Sequence, residues 1–157
     1  MTIRRTGKKG TTTIRPRVLP RPPRKARADG PRPSSTRDAS ARVALLAAEA
    51  GLDKKASAIE IIDVSGKVDY ADFLVLMTGS SDRHVAAIAD SVEDLLGRNG
   101  IHSISMEGRT IASWVLIDFV DIVVHVFQKE ARAVYDLDGL WMDASRLPVP
   151  SAPPADS

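Results

Sequence analysis

The segment WVLIDFVDIVVHVF, residues 114–127, admits few folds. Two apolar runs flank a short acidic stretch, and their polar residues recur with a period of two, as on a strand with one buried face. Taking Asp118-Phe119-Val120-Asp121 as a two-residue hairpin turn sets Trp114 opposite His125, Leu116 opposite Val123 and Asp118 opposite Asp121. These six residues then share one face of a sheet, and Val115, Ile117, Ile122 and Val124 share the other. The aliphatic face reads as core. The mixed face carries an indole, an imidazole and two carboxylates, a set that stability alone does not explain. Asp118 facing Asp121 is a like-charge pair, and a basic partner would relieve its cost.

The rest of the chain supplies a frame for this hairpin. Ser40 is placed to cap a helix over 41–56, with Gly51 breaking or kinking its later part. Residues 59–64 (IEIIDV) form a strand and Ser65-Gly66-Lys67 a turn. Residues 73–78 (FLVLMT) are apolar throughout, which predicts a central strand covered on both faces. Val85, Ile88, Ala89, Val92, Leu95 and Leu96 form the stripe of a helix over 83–98, which Asn99-Gly100 closes. A strand over 101–106, a turn at Glu107-Gly108, the hairpin, and a helix over 129–136 leading to Trp141 complete the domain. The order α-β-β-α-β-β-β-α implies an α/β fold, a mixed five-stranded sheet flanked by helices.

Charge divides the chain. Residues 1–40 hold twelve Lys/Arg against two Asp/Glu, a net of +10, whereas residues 41–157 hold ten against eighteen, a net of −8. The acidic part suits a basic partner surface. Residues 1–37 lack apolar periodicity and contain six prolines, so they are expected to be a disordered basic arm, with residues 38–147 as the domain and 148–157 as a second disordered tail. Arg15, Arg17, Arg21, Arg24, Lys25 and Arg27 of the arm are candidates for RNA-backbone contact, with an affinity that falls steeply with salt. The absence of cysteine fits a reducing cytoplasm. The basic N-terminus lacks the apolar run of a secretory signal, and no apolar run approaches a membrane span.

No catalytic set emerges. Gly79-Ser80-Ser81 follows a strand and opens a helix, where backbone amides can hold an anion, but Ser81 or Asp82 reads more simply as an N-cap. Two-metal phosphoryl chemistry needs converging carboxylates. Asp118 and Asp121 are three apart across a turn, as are Asp69 and Asp72, and Asp136 and Asp138 lie in a helical stretch where i and i+2 diverge. His84, His102 and His125 have no metal-ligand spacing. There is no Gly-x-Ser-x-Gly, P-loop or Gly-x-Gly-x-x-Gly. These gaps argue against an enzyme, cofactor or metal centre. Trp141 reads as core, while Trp114 is expected to be partly exposed, as interface tryptophans are.

Several stretches carry a resemblance: LDKKASAIEIIDV at 52–64, ADFLVLMTGSSDRHVAAIADSVEDLL at 71–96, Glu107-Gly108, WVLIDFVDIVVHVF at 114–127 and R-x-x-YDLDGLW at 132–141. In order and spacing they resemble the ribosomal silencing factor family, RsfS, also called Iojap-like. The resemblance implies a nucleotidyltransferase-like fold without catalysis. It implies binding to large-subunit ribosomal protein fourteen, steric block of subunit joining and lowered translation under nutrient limitation. The family's contact strand maps to Trp114, Leu116 and Asp118, and the hairpin geometry adds Asp121 and His125. Apolar surface there would also support a homodimer of the free protein. The family has Gly where this chain has Val120, and a β-branched residue resists positive φ, so the turn is expected to differ. The rival readings are a nucleotidyltransferase-like enzyme and a general RNA-binding protein acting through its arm.

Overall fold

The computed structural model describes residues 34–149. The elements run α1 (Ser34–Asp53), β1 (Ser57–Asp63), β2 (Phe73–Gly79), α2 (Asp82–Arg98), β3 (Ser105–Glu107), β4 (Trp114–Asp118), β5 (Ile122–Gln128), α3 (Lys129–Tyr135), α4 (Leu137–Leu140) and β6 (Arg146–Leu147). They form one sheet of order β3-β4-β5-β2-β1-β6. Only β2 and β5 pair in parallel; the other neighbours are antiparallel. The α/β class and the mixed, helix-flanked sheet match expectation. The sheet has six strands instead of five, because Leu147 and Arg146 pair with Ile61 and Ile62 through a two-residue strand too short to leave a periodic signal.

Every residue of β2 is buried, as its unbroken apolar run requires of a central strand. Its alternate side chains feed two cores. Phe73, Val75 and Met77 join Ile61, Val115, Ile117, Val124 and Val126 beneath α1 and α2. Leu74 and Leu76 join Ile62, Val123, Leu116 and Phe127 on the opposite face, beneath Leu137 and Ala144. Burying Phe73 and Phe127 completely contributes about 1.5–3 kcal/mol each.

α1 starts earlier than expected. Ser40 is not its N-cap but lies inside the helix and is buried, its hydroxyl donating to the Thr36 carbonyl (3.1 Å) and to Asp72 Oδ2 (2.8 Å). Residues 34–37 therefore belong to the helix and not to the arm. Arg37 pairs with Asp63 and stacks over the Phe73 ring, 5.4 Å from its centroid. Gly51 does not break α1: a Cβ there would stand 2.2 Å from Met77 Sδ, so glycine lets the helix touch β2. Residues 1–33 and 150–157 lie outside the described residues, and with them the arm, its six basic candidates and the tail.

α2 follows its sequence signals. Ser81 Oγ accepts the His84 amide (3.1 Å), and Val85, Ile88, Ala89, Val92 and Leu96 are buried. Gly100 takes φ +80° and the Ile101 amide returns to the Leu96 carbonyl (2.9 Å), which closes the helix. The strand expected over 101–106 shrinks to Ser105–Glu107.

Candidate functional site

β4 and β5 pair in a register two residues from the expected one. Trp114 faces Phe127, Leu116 faces His125 and Asp118 faces Val123. Trp114 is thus not opposite His125, and Asp118 is not opposite Asp121. Because the shift is even, no side chain changes face, and the mixed face survives with different neighbours. The cause is the turn. Its centre is Val120, at φ +81°, and the Asp121 amide closes it on the Phe119 carbonyl at 3.0 Å. This i to i+2 closure with a positive φ is the rare, strained γ-turn. Valine therefore adopts the conformation expected of glycine, and the turn differs, as expected, from a two-residue hairpin. Two bonds hold it there: Asp118 Oδ1 accepts the Val120 amide (2.8 Å), and the Asp121 carbonyl accepts the Asp72 amide (2.8 Å).

At the other end of β4 lies an aromatic cluster. The Trp114 ring centroid is 4.2 Å from Tyr135, 5.3 Å from Phe127 and 5.8 Å from His125, and His125 stacks on Phe127. Trp114 Nε1–H donates to His125 Nδ1 at 3.0 Å. An indole nitrogen only donates, so Nδ1 is the unprotonated nitrogen and the imidazole proton sits on Nε2. Burial pushes the His125 pKa down to about 3, so the ring is neutral.

The mixed face is not a solvent face. Leu116 is 7 % exposed, His125 5 % and Asp118 1 %, and Leu116 belongs to the second core. Trp114, Tyr135 and Asp121 are half-buried, and Val120 is exposed. The structure brings the five candidate residues to one face but divides their work: Trp114 and Asp121 reach the surface, while Leu116, Asp118 and His125 hold them from beneath. Tyr135 is a member the sequence reading missed. The R-x-x-Tyr spacing of α3 was the available signal, but only folding shows that Tyr135 lands on Trp114.

α3 is placed by a clamp. Arg132 donates two bonds to Asp138, both 2.9 Å, and its Nη1 reaches the Ala58 carbonyl (2.6 Å) and Thr78 Oγ1 (2.8 Å). Ala58 sits at φ +49°, where the β1–β2 register slips, which supports its carbonyl in this unusual setting. The guanidinium holds the Asp138 carboxyl below its ordinary range. Asp136, at φ +47°, ends α3 and accepts the Gly139 amide (3.0 Å) to start α4.

The Gly79-Ser80 loop is no anion cradle. His84 Nδ1 accepts the Ser80 amide (2.8 Å), and its Nε2–H donates to the Lys54 carbonyl (2.7 Å). The Arg83 amide goes to Asp82 Oδ1 and the His84 amide to Ser81 Oγ. These three amides are thus taken by neighbouring side chains, while the His84 ring ties the start of α2 to the end of α1. Among the described residues no group of three His, Asp or Glu could hold a metal ion, and no helix is long and apolar enough to cross a membrane.

The chain is similar in sequence and fold to known proteins. The family described as "Ribosomal silencing factor during starvation" matches residues 36–157. The ribosomal silencing factor RsfS of Bacillus subtilis is 44 % identical over 99 residues, 63 % of this chain and 84 % of that protein. The maize chloroplastic protein Iojap is 29 % identical over 103 residues, 66 % of this chain and 45 % of that protein. A crystal structure from Chromobacterium violaceum superposes with a TM-score of 0.64 at 34 % identity, covering 73 % of this chain and 97 % of that one. Another, from Bacillus halodurans, gives 0.62 at 36 % identity, covering 69 % and 99 %.

Proposed function

The chain belongs to the ribosomal silencing factor family, and from that premise we propose that it binds the large ribosomal subunit through ribosomal protein fourteen. Bound there, it sterically blocks association with the small subunit and represses translation when nutrients are scarce. The observation that carries this reading is the half-buried Trp114, held in one pose by His125, Phe127 and Tyr135 on an acidic domain. A rigid aromatic anchor ringed by polar groups is the usual centre of a protein interface. The net of −8 in residues 41–157 suits a basic ribosomal protein. Its relatives are regulatory, and the chain is not an enzyme. A nucleotidyltransferase-like fold without catalysis is part of the same proposal, as are a cytoplasmic location and a homodimer of the free protein that competes with the ribosome.

In this reading Trp114 and Asp121 make the direct contacts. Leu116, Asp118 and His125 act through them. The six basic arm residues add contact with ribosomal RNA. Co-sedimentation with purified large subunits tests the surface. Trp114→Ala and Asp121→Arg should each weaken binding by tenfold or more, about 1.4 kcal/mol. Wild-type binding by both variants would place the interface elsewhere. An RNA-binding protein working through its arm alone would keep full binding in both variants and lose it when the arm charges are removed.

A further inference from the structure

We infer that the cavity at the carboxyl ends of β2 and β5 binds a small ligand carrying two linked phosphate groups, held by Lys54, Lys55 and Lys129 and by the hydroxyls of Ser57, Thr78 and Ser80. The cavity shares no lining residue with the Trp114 cluster, and the inference does not depend on the ribosomal proposal.

The sheet register builds the cavity. β2 and β5 run parallel with Gly79 beside Gln128, so both strands end at the same edge of the sheet. Each then turns into a helix, β2 through Ser80 and Ser81 into α2, and β5 directly into α3 at Lys129. β1 runs the other way and sets Ser57 beside Thr78. The end of α1 forms the remaining side, where the Lys54 carbonyl accepts the His84 Nε2–H at 2.7 Å. These segments surround about 730 Å³. Open α/β sheets take their ligands in the crevice outside the carboxyl ends of parallel strands, and the volume is that of a small-molecule pocket.

Charge selects the ligand. Residues 34–149 hold four lysines, and three of them, Lys54, Lys55 and Lys129, line this cavity. Arg37, Arg98, Arg109, Arg132 and Arg146 are each paired with a carboxylate. The three cavity lysines have no ion pair among the described residues, although residues 41–157 carry a net of −8. Of the lining residues Glu130 alone is acidic, so positive charge is in excess. Like charges gathered around one cavity repel, and a bound anion relieves that cost. An ammonium on a flexible stem is a point-charge partner for phosphate.

Hydrogen bonding adds direction. The Ser80 amide is already taken, so the ligand meets side chains. His84 Nδ1 has one lone pair, which that amide fills at 2.8 Å. The Ser80 hydroxyl, 3.1 Å from the same nitrogen, therefore keeps its proton for another acceptor. Thr78 Oγ1 accepts from Arg132 at 2.8 Å, and its own proton has no acceptor among the described residues, although Thr78 is only 9 % exposed. The Ser57 hydroxyl has just the Thr78 carbonyl, at a long 3.5 Å. Three ammoniums and three hydroxyls outnumber the four oxygens of a single phosphate and suit two joined ones. No Phe, Tyr or Trp lines the cavity, so it offers no stacking platform for a base.

Titration of the full chain with inorganic pyrophosphate at constant ionic strength, followed by amide NMR, tests the site. The Lys55, Ser80 and Lys129 amides should shift together and saturate with one Kd. Orthophosphate should bind at least tenfold more weakly. Lys55→Gln combined with Lys129→Gln, two exposed side chains, should weaken pyrophosphate at least tenfold and leave Tm unchanged. Unmoved signals at the three amides overturn the site, as does undiminished affinity in the double variant. Orthophosphate that binds as tightly as pyrophosphate overturns the two-phosphate ligand. A single-stranded RNA oligonucleotide that moves these amides where pyrophosphate does not makes the cavity an RNA contact and overturns the small-ligand assignment. No arm of the experiment contains a ribosome, so failure here leaves the ribosomal proposal standing, and failure of ribosome binding leaves the cavity standing.

Discussion

Trp114 donates its indole N–H to His125 Nδ1 across 3.0 Å. The pair links the exposed edge of the second core to its interior. His125 is almost fully buried between Leu116 and Leu76 in the sheet register, and its ring plane is fixed by stacking on Phe127. The bond therefore gives Trp114 a defined pose without a direct contribution from solvent-facing residues. A surface aromatic with a locked rotamer loses little entropy on binding.

Burial of His125 makes stability depend on pH from above the carboxylate range downward. Its folded pKa of about 3 lies below the unfolded value of 6.5. Between these values the unfolded state binds the extra proton, so stability falls as pH falls from 6.5 toward 3, at up to about 1.4 kcal/mol per pH unit. Asp63, Asp90 and Asp138 have lowered pKa values, so their contribution is lost as pH falls through the ordinary carboxylate range toward those lowered values. Urea denaturation between pH 4.5 and 6.5 isolates the histidine. His125→Gln should flatten the slope in that window, and a slope unchanged by the substitution would show that another group titrates.

Val120 spends stability on a positive φ. Val120→Gly removes the Cβ clash and should stabilise the fold by about 0.5–1.5 kcal/mol despite glycine's greater unfolded freedom. Val120 is 37 % exposed, so little packing is lost. Thermal denaturation decides the sign, and a lower Tm for Val120→Gly would mean that the turn stores no strain.

Arg132 satisfies four acceptors on three separate segments. Its side chain is 11 % exposed, so Arg132→Ala leaves the Ala58 carbonyl and Thr78 hydroxyl short of a donor. A loss of about 2–4 kcal/mol is expected. Arg132→Lys should recover less than half, because an ammonium cannot span the forked Asp138 pair and the two oxygens together. Near-complete rescue by lysine would reduce the clamp to a simple ion pair.

Much of this was legible in the residues. The unbroken apolar run of β2 marked a central strand, and Ser81 and the Val85–Leu96 stripe marked α2. The faces of β4 followed from alternation alone and outlived a register error of two. What was not legible depended on distant contacts. Ser40 resembled a cap because its partner Asp72 lies 32 residues away. β6 is two residues long and exists only against β1. The γ-turn was hidden because valine disfavours it, and only Asp118 and Asp72, bonding from two sides, make it tolerable. The mixed face was too polar to read as core. Yet Asp118 and His125 are buried, Asp118 accepting the Val120 amide and His125 the Trp114 indole N–H, and Trp114 is half-buried.

The central claim is that this face keeps ribosomal subunits apart. Light scattering of purified small and large subunits, mixed with and without the protein, measures it directly. The account predicts that wild-type protein lowers the associated fraction in proportion to its occupancy of the large subunit, and that Trp114→Ala needs about tenfold more protein for the same effect. Undiminished association at saturating occupancy of the large subunit, or inhibition by Trp114→Ala equal to wild type, would contradict it.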